Sequence, residues 1–419
     1  MPDQASPSHA AAGARLLALT EQCVRCGLCL PHCPTYQLAL DEGESPRGRI
    51  ALIAAVTSGA LPTEGAPKRH LDHCLGCRAC ETACPSLVPF GDLLDAARAR
   101  QLASLPRWRR WARRARLGAL SNARFMRFIA RAAAGYRGSG VARMAEWLGL
   151  HQSQGWGPFH RLALVLGRPQ RLPRSAPVAP TLQLFAGCMS EVAQPQALHA
   201  ARRILQALGE RVAHDPAPAC CGAILRHNGL PDRADQTLAR QATVLDGHVI
   251  VGTASACVAE LHRQPELAQS AEICTWLAGR RWPDDLALAS LPDTVAVHEP
   301  CTHRHGLGGN HDVYHLLERI PDLRLLELPE NATCCGAAGT HLIEQPVLSQ
   351  ALLQRKIMHL RRLAPAVVVT TNPGCALHLR AGVREAGLDI EVCHPIELID
   401  RQLRQPQLPT TRTGHRRRR

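Results

Sequence analysis

Eight of the eighteen cysteines in this 419-residue chain form two copies of one closely spaced run, C-x2-C-x2-C-x3-C-P. Because two residues separate successive cysteines, a tight loop can place the first three of them around one cube-shaped metal cluster. The proline marks a break after the fourth cysteine. Thiolates at this spacing are ligands of [4Fe–4S] clusters, so the runs require the N-terminal part of the chain to fold around iron and sulfide. The first run is Cys23, Cys26, Cys29 and Cys33, and the second is Cys74, Cys77, Cys80 and Cys84.

The paired runs predict a helical, bacterial-ferredoxin-like module with two [4Fe–4S] clusters. In two-cluster ferredoxins the fourth cysteine of each run ligates the other cluster. Structural zinc sites use separated C-x2-C pairs instead of runs of four, and disulfides suit a secreted chain, for which no signal sequence is visible. The first predicted ligand set is Cys23, Cys26, Cys29 and Cys84, and the second is Cys33, Cys74, Cys77 and Cys80.

Two of the arginines between the runs lie close to a predicted turn over residues 45–48. A helical apolar pattern that contains Ile50 and Ile53 follows this turn. Arg47 and Arg49 either offset the negative charge of thiolate-ligated clusters or are solvated surface charges. The sequence leaves both alternatives open.

The formal net charge of +14 is placed unevenly along the chain. Residues 96–145 contain 13 arginines and no aspartate or glutamate, and Trp108 and Trp111 lie among them. A basic helix with tryptophan is typical of binding to an anionic membrane surface or an acidic partner. The alternative is a solvated helix whose arginine stems cover the domain beneath. Nucleic-acid binding is not expected, because no recognised reader motif accompanies the basic segment.

No run of eighteen apolar residues occurs in the chain, so no membrane-spanning helix is predicted. The N-terminal residues lack the basic and apolar regions of a signal peptide. Together with the basic segment, these features predict a cytoplasmic protein that is peripheral on the inner face of the cell membrane.

A second repeat follows the proline-rich residues 167–180. Each copy has a single cysteine, then a Cys-Cys-Gly triplet, then another single cysteine. The first gap is 31 residues in one copy and 32 in the other, and the second gap is 35 and 39 residues. Such agreement indicates internal duplication. The repeated cysteines are Cys188, Cys220, Cys221 and Cys257 in the first copy and Cys301, Cys334, Cys335 and Cys375 in the second.

Each copy alternates short β-branched runs with helical segments, which predicts a parallel sheet covered by helices. The single cysteines come just after the predicted strands. Because ligands of open α/β sheets bind at the carboxyl ends of the strands, these cysteines are expected to converge there. The predicted fold class is therefore mixed: the helical cluster-binding module, then duplicated α/β units. Cys274 and Cys393, which also correspond between the copies, are predicted to be core residues.

These copies resemble the cysteine-rich CCG domain of heterodisulfide reductases and related iron–sulfur subunits. The resemblance implies a further iron–sulfur centre, or thiol chemistry, at the eight repeated cysteines. The fullest form of the motif ends in C-x2-C, but here Glu260 and His378 stand where the last cysteine would be. This departure argues against a full pair of heterodisulfide-type clusters and leaves room for one additional centre.

The whole arrangement resembles the iron–sulfur subunits of glycolate oxidase, most clearly in SPRGRIALI and HLDHCLGCRACETACPSLVPFGDLLD. The resemblance implies that this chain carries electrons from FAD-containing partner subunits, which oxidise glycolate to glyoxylate, to quinone or another respiratory acceptor. The alternatives are the equivalent subunit of an anaerobic glycerol-3-phosphate or D-lactate dehydrogenase, and a heterodisulfide-reductase-like thiol enzyme. No dinucleotide fingerprint, catalytic triad or acid–base carboxylate pair is visible, so no catalytic residue is predicted on this chain.

The predicted domains follow from these motifs. They are the two-cluster ferredoxin-type domain at 1–100, the basic helical segment at 101–166, the linker at 167–180, the first CCG unit at 181–290, the second CCG unit at 291–405 and the basic tail at 406–419.

Overall fold

The computed structural model describes residues 7–153, 155–173, 179–214, 220–245 and 247–404. The predicted basic tail, 406–419, and residues 174–178 of the predicted linker lie outside the described residues. The architecture is mixed, with a helical N-terminal part followed by two parallel sheets with helices. The predicted fold class is confirmed.

The N-terminal module, residues 7–104, is helical around the two cysteine runs. The predicted turn at residues 45–48 is the start of a helix, because the Ser45 side chain accepts a hydrogen bond from the Gly48 N–H and Pro46 occupies the first helical position. Ile53, Leu71 and Leu93 form the core of the module. Its helices are α1 (Pro7–Glu21), α2 (Pro34–Ala39), α3 (Pro46–Thr57), α4 (Ala66–His73), α5 (Ala79–Thr82) and α6 (Phe90–Ser104).

Four helices link this module to the sheets. Asn122 caps the second of them by accepting hydrogen bonds from the N–H groups of Arg124 and Phe125. The buried face of that helix packs on Val192 and Leu377, which belong to different sheet units, so the linking helices contact both. They are α7 (Arg107–Leu120), α8 (Ala123–Gly138), α9 (Val141–Trp147) and α10 (Gly157–Val165).

The first unit is a four-stranded parallel sheet with the strand order β2-β1-β3-β4. Its strands are β1 (Leu182–Phe185), β2 (Val212–Ala213), β3 (Val249–Gly252) and β4 (Ala271–Glu272), and its helices are α11 (Ser190–Ala193), α12 (Pro195–Ala207), α13 (Ala223–Arg226), α14 (Pro231–Leu245), α15 (Ser255–Leu261) and α16 (Ile273–Ala278).

The second unit repeats this topology with the order β6-β5-β7-β8, again fully parallel. The sequence repeat is therefore a repeat of structure. Its strands are β5 (Thr294–Val297), β6 (Arg324–Glu327), β7 (Val367–Val369) and β8 (Glu391–Cys393), and its helices are α17 (Asn310–Leu317), α18 (His341–Glu344), α19 (Pro346–Leu363), α20 (Pro373–Glu385) and α21 (Pro395–Arg404).

One continuous hydrophobic core joins the two units. Ile204 on α12 and Ile399 on α21 are both fully buried in it, together with Val297 at the end of β5. Burying three such side chains stabilises the fold by about 1.5–3 kcal/mol each. The two sheets are therefore held as one body. Within the described residues, every helix is too short or too polar to cross a lipid bilayer.

Candidate iron–sulfur centres

The two cysteine runs line two small neighbouring cavities in the N-terminal module. The first cavity is lined by Cys23, Cys26, Cys29 and Cys84, and Cys80 also reaches it. The second cavity is lined by Cys33, Cys74, Cys77 and Cys80. The cysteines thus gather in the groups that crossed ligation requires, and a set of four thiols is the donor chemistry that suits a [4Fe–4S] cluster. The assignment of individual ligands stays a prediction.

Arg49 is buried beside the second cavity. Its Nη1 lies 3.7 Å from Cys33 Sγ and 2.9 Å from Thr35 Oγ1, and its Nη2 donates to Glu44 Oε2 at 2.6 Å. A buried guanidinium against a ligand sulfur favours the reduced, more negative state of a cluster. Of the two alternatives for this arginine, the structure favours charge compensation.

Arg47 has a different environment, although it lines the first cavity. Its Nε donates to Glu42 Oε1 at 2.7 Å, in a pair whose side chains are 33% and 51% exposed. Because solvent screens such an exposed pair, Arg47 fits a surface ion pair better than a cluster counter-charge.

Glu44 connects Arg49 to two histidines of α4. Its Oε1 accepts from His70 Nδ1 and His73 Nδ1, each at 2.8 Å. Although burial opposes it, the hydrogen bonds from these histidines and the charge of Arg49 lower the pKa of Glu44 below its ordinary value. The buried guanidinium and carboxylate are therefore both satisfied close to Cys33.

All eight repeated cysteines line one large cavity of about 460 Å³ between the two sheet units. The single cysteines lie shortly after the carboxyl ends of β1, β3, β5 and β7, and the Cys-Cys-Gly loops complete the wall. The sequence-based expectation that they converge is met. The lining cysteines are Cys188, Cys220, Cys221, Cys257, Cys301, Cys334, Cys335 and Cys375.

The thiols of this cavity are paired within each unit. In the first unit, the hydrogen bond with Cys220 and burial raise the pKa of Cys188, while the same bond lowers the pKa of Cys220. In the second unit, Cys335 Sγ lies 3.2 Å from Cys375 Sγ. Closely spaced, buried thiols are the donors that iron and zinc prefer, and metal binding displaces their protons.

Glycine is required in both Cys-Cys-Gly loops. Gly222 and Gly336 each have φ of +91°, which favours glycine. A Cβ at Gly336 would lie 2.7 Å from the carbonyl oxygen of Ser349, and one at Gly222 would lie 3.1 Å from Ala234 Cα. The loops can therefore pack tightly on the helices that follow them only without a side chain.

The residues that replace the last cysteine of the motif do not face the cavity. Glu260 accepts from Arg226 Nε at 2.5 Å, and His378 Nε2 lies 3.2 Å from Ser349 Oγ. Neither side chain is part of the cavity wall. Neither residue therefore substitutes for the missing thiol at the cavity wall.

The second small cavity and the large cavity share part of their walls. Leu75 lines both, and Cys77 and Cys301 pack against one small cluster that contains Leu75 and Cys334. Thr82 Oγ1 also lies 3.0 Å from His305 Nδ1, across 223 positions of sequence. Sequence reasoning missed this contact, because nothing in either motif shows which repeat lies against the cluster-binding module.

Cys274 and Cys393 are fully buried, as the sequence predicts. Cys274 is the second residue of α16, and its N–H donates to Glu272 Oε2 at 2.7 Å. Glu272 Oε1 lies 3.4 Å from Nε2 of His394, which belongs to the second unit. A buried carboxylate and imidazole thus meet at the interface of the two units.

Helix α7 of the basic segment has two distinct faces. Trp108 and Trp111 are 67% and 72% exposed on its outer face. On its inner face Leu117 is fully buried, and Arg113 and Leu120 line the large cavity. The arginines are therefore not equivalent, and only those of the outer face can meet a partner.

Comparisons with known proteins agree with this geometry. Residues 20–88 match the model of the 4Fe-4S dicluster domain, and residues 182–262 and 295–380 each match that of the cysteine-rich CCG domain. The probable glycolate oxidase iron-sulfur subunit of Bacillus subtilis is 29% identical over 407 residues, which cover 88% of this chain and 90% of the relative. The glycolate oxidase iron-sulfur subunit of Escherichia coli is 29% identical over 418 residues, covering 92% and 95%.

A more distant relative shares part of the chain. One subunit of the fumarate reductase (CoM/CoB) of Methanothermobacter marburgensis is 28% identical over 222 residues, covering 52% of this chain and 45% of the relative. The order of the two domain types, and the alignments with the glycolate oxidase subunits over 88% and 92% of the chain, define the assignment. The chain belongs to the iron–sulfur proteins that join a 4Fe-4S dicluster domain to two cysteine-rich CCG domains, and it is a homologue of the glycolate oxidase iron-sulfur subunits.

Proposed function

We propose that this chain is the electron-carrying subunit of a complex that oxidises glycolate to glyoxylate. The observation that carries the proposal is the pair of adjacent four-thiol cavities in a chain that aligns over about nine tenths of its length with glycolate oxidase iron-sulfur subunits. Bound [4Fe–4S] clusters supply one-electron transfer. The protein holds the two thiol sets next to each other and places Arg49 against one of them.

The oxidation itself belongs to partner subunits that carry FAD. The sequence shows no dinucleotide fingerprint that would bind a hydride acceptor, and no acid–base pair that would take the hydroxyl proton of an alcohol. A flavin takes two electrons from the substrate and releases them one at a time. The shared packing of Cys77 and Cys301 on the cluster that contains Cys334 supports a route from the second small cavity into the large cavity.

The large cavity supports a third centre. Eight cysteines with no disulfide among them face one space between the units. As free thiols, these cysteines would be buried S–H groups that gain little stabilisation from their surroundings. A metal would instead bind them as thiolates. We therefore assign the third centre to some of these eight cysteines.

The acceptor is a quinone or another respiratory carrier at the inner face of the membrane. Support comes from the outer face of α7, where exposed tryptophans lie among arginines. Such a face suits the headgroup region of an anionic bilayer. It would bring the cavity behind α7 close to lipid-soluble acceptors.

A second candidate function is the same electron transfer in the oxidation of another hydroxy acid. Proteins named lactate utilization protein A, for example that of Halalkalibacterium halodurans, are 23% identical over 239 residues and match 53% of this chain. This likeness covers only about half of the chain, whereas the glycolate oxidase subunits match nearly all of it. We therefore rank glycolate first.

Electron paramagnetic resonance on the anaerobically isolated complex tests the proposal. Glycolate, D-lactate and glycerol-3-phosphate are added separately, and reduced-cluster signals are recorded. Reduction by glycolate alone is expected. Reduction by another acid alone would keep the electron-carrier role and reject glycolate, and signals that appear with dithionite but with none of the three would reject all of these substrates.

A further inference from the structure

His298 lies directly behind the cysteines of the second unit. It follows β5 and is 2% exposed. Its Nδ1 lies 3.0 Å from Thr370 Oγ1, whereas its Nε2 has no hydrogen-bond partner within the described part of the chain. One imidazole nitrogen of His298 and the sulfurs of Cys335 and Cys375 all lie within 4.8 Å of one another.

The hydrogen bond at Nδ1 leaves Nε2 free to bind a metal. If Nδ1–H donates to Thr370, the lone pair stays on Nε2, which is the arrangement that metal-binding histidines adopt. A buried acceptor without a partner is costly, and a metal ion would satisfy it.

Lys356 supplies an independent observation in the same place. Its side chain is 1% exposed, and its Nζ donates to the carbonyl oxygen of Glu330 at 2.5 Å. The Glu330 carboxylate pairs with Arg355 instead, and no described carboxylate lies within ion-pair distance of Lys356. A buried ammonium requires nearby negative charge, and a metal ligated by thiolates provides it.

The corresponding positions of the first unit differ. Ala186 follows β1 where His298 follows β5. When the helices α14 and α19 are aligned at their first residues, Gln241 stands in place of Lys356. In the first unit, the buried Arg226 is already matched by Glu260 and Asp235. The imidazole and the uncompensated positive charge are therefore features of the second unit.

We propose that the second unit binds a metal through mixed ligands, in which His298 Nε2 joins the thiolates of Cys335 and Cys375. This inference rests on the proposed third centre and specifies how it is held. Two thiols 3.2 Å apart suit a single tetrahedral metal atom. That atom is either one iron of the third centre or a zinc ion, since both accept sulfur and imidazole.

The test compares three variants of the full-length chain within its complex. His298→Asn removes the ligand, His298→Cys retains a donor atom, and His199→Asn is the matched control. His199, on α12, also has a buried Nε2 without a hydrogen-bond partner among the described residues, but it lies outside the wall of the large cavity and outside the group of close ligand atoms. Iron, sulfide and zinc are quantified, and imidazole nitrogen is sought by pulsed electron paramagnetic resonance for iron or X-ray absorption for zinc.

We expect metal beyond that of the two ferredoxin-type clusters in the wild type, with nitrogen coordination. His298→Asn should lose both, His298→Cys should keep the metal without the nitrogen, and His199→Asn should change neither. The signals of the two ferredoxin-type clusters report whether each variant folds. If extra metal is found without nitrogen, or if nitrogen persists in His298→Asn, His298 is not a ligand and the third centre stands. If no extra metal is found, both ideas fail, whereas reduction by glycolate remains a separate result.

Discussion

At the scale of single residues, the position of an arginine side chain decides whether its positive charge can act on a cluster. Arg47 and Arg49 are two residues apart, yet one pairs with Glu42 at the surface and the other is buried against Cys33. Helical geometry explains this, because residues two apart on a helix point in different directions. Only the buried arginine can act on the cluster without screening by solvent.

We expect Arg49→Ala to affect both stability and potential. Loss of the guanidinium leaves the Glu44 carboxylate buried with only its histidine partners, which should cost about 3 kcal/mol. The cluster bound in part by Cys33 should also become harder to reduce, because a nearby positive charge is lost. Anaerobic urea unfolding and a redox titration measure the two effects.

Arg47→Ala is the matched control for this prediction. Its pair with Glu42 is substantially exposed, so the stability change should stay below about 1 kcal/mol. Equal shifts of potential in the two variants would contradict a special role for Arg49.

At the scale of elements, each Cys-Cys-Gly loop depends on close contact with the helix behind it. Gly336→Ala should be destabilising by about 1–3 kcal/mol, because it combines an unfavourable positive φ with a clash against the Ser349 carbonyl. Gly222→Ala should have a smaller effect, since its nearest contact is 3.1 Å instead of 2.7 Å. Thermal unfolding of the two variants gives the order. A larger effect at Gly222 would show that these contacts do not determine the loop.

The elements that the sequence predicts well are those with strong local patterns. The buried runs at β1, β3, β5 and β7 are strands, and their parallel arrangement brings the repeated cysteines together as expected. The two-residue strands β2 and β4 carry too little pattern to be recognised, and β6 is partly exposed. The position of His298, three residues before Cys301, marks it in the sequence as a residue that could influence a centre. Only three-dimensional contacts show that its Nε2 has no partner among the described residues and that Lys356 is buried without a nearby described carboxylate.

At the scale of the whole molecule, buried polar contacts hold the two units together beside their shared core. Glu272→Ala should be destabilising by about 3 kcal/mol, because it removes both the cap of α16 and the carboxylate that faces His394. Glu266→Ala, which alters an exposed glutamate of the same unit, should change the free energy of unfolding by no more than about 0.5 kcal/mol. Urea unfolding compares them. Equal values would mean that the buried glutamate does not hold the units together.

Docking on a membrane is also a property of the whole molecule. Arg109→Glu with Arg114→Glu reverses two exposed charges on the outer face of α7 and should release the protein from anionic vesicles, as should high salt. The control is Arg361→Glu with Arg362→Glu, an equal charge change on the exposed face of α19. Co-sedimentation with vesicles measures binding. Release by both pairs would indicate a net-charge effect, and release by neither would reject docking through α7.

The large cavity takes half of its cysteines from each copy of the repeat. One copy alone would therefore present only an open half, and two identical chains could close the cavity by pairing through this edge. Joining both copies in one chain removes the requirement that the halves be identical. Single substitutions can then make the two copies different. Gln241 on α14 and Lys356 on α19, which occupy corresponding positions, are an example of such a difference. Duplication within one chain therefore allows the two halves of the cavity to carry different residues.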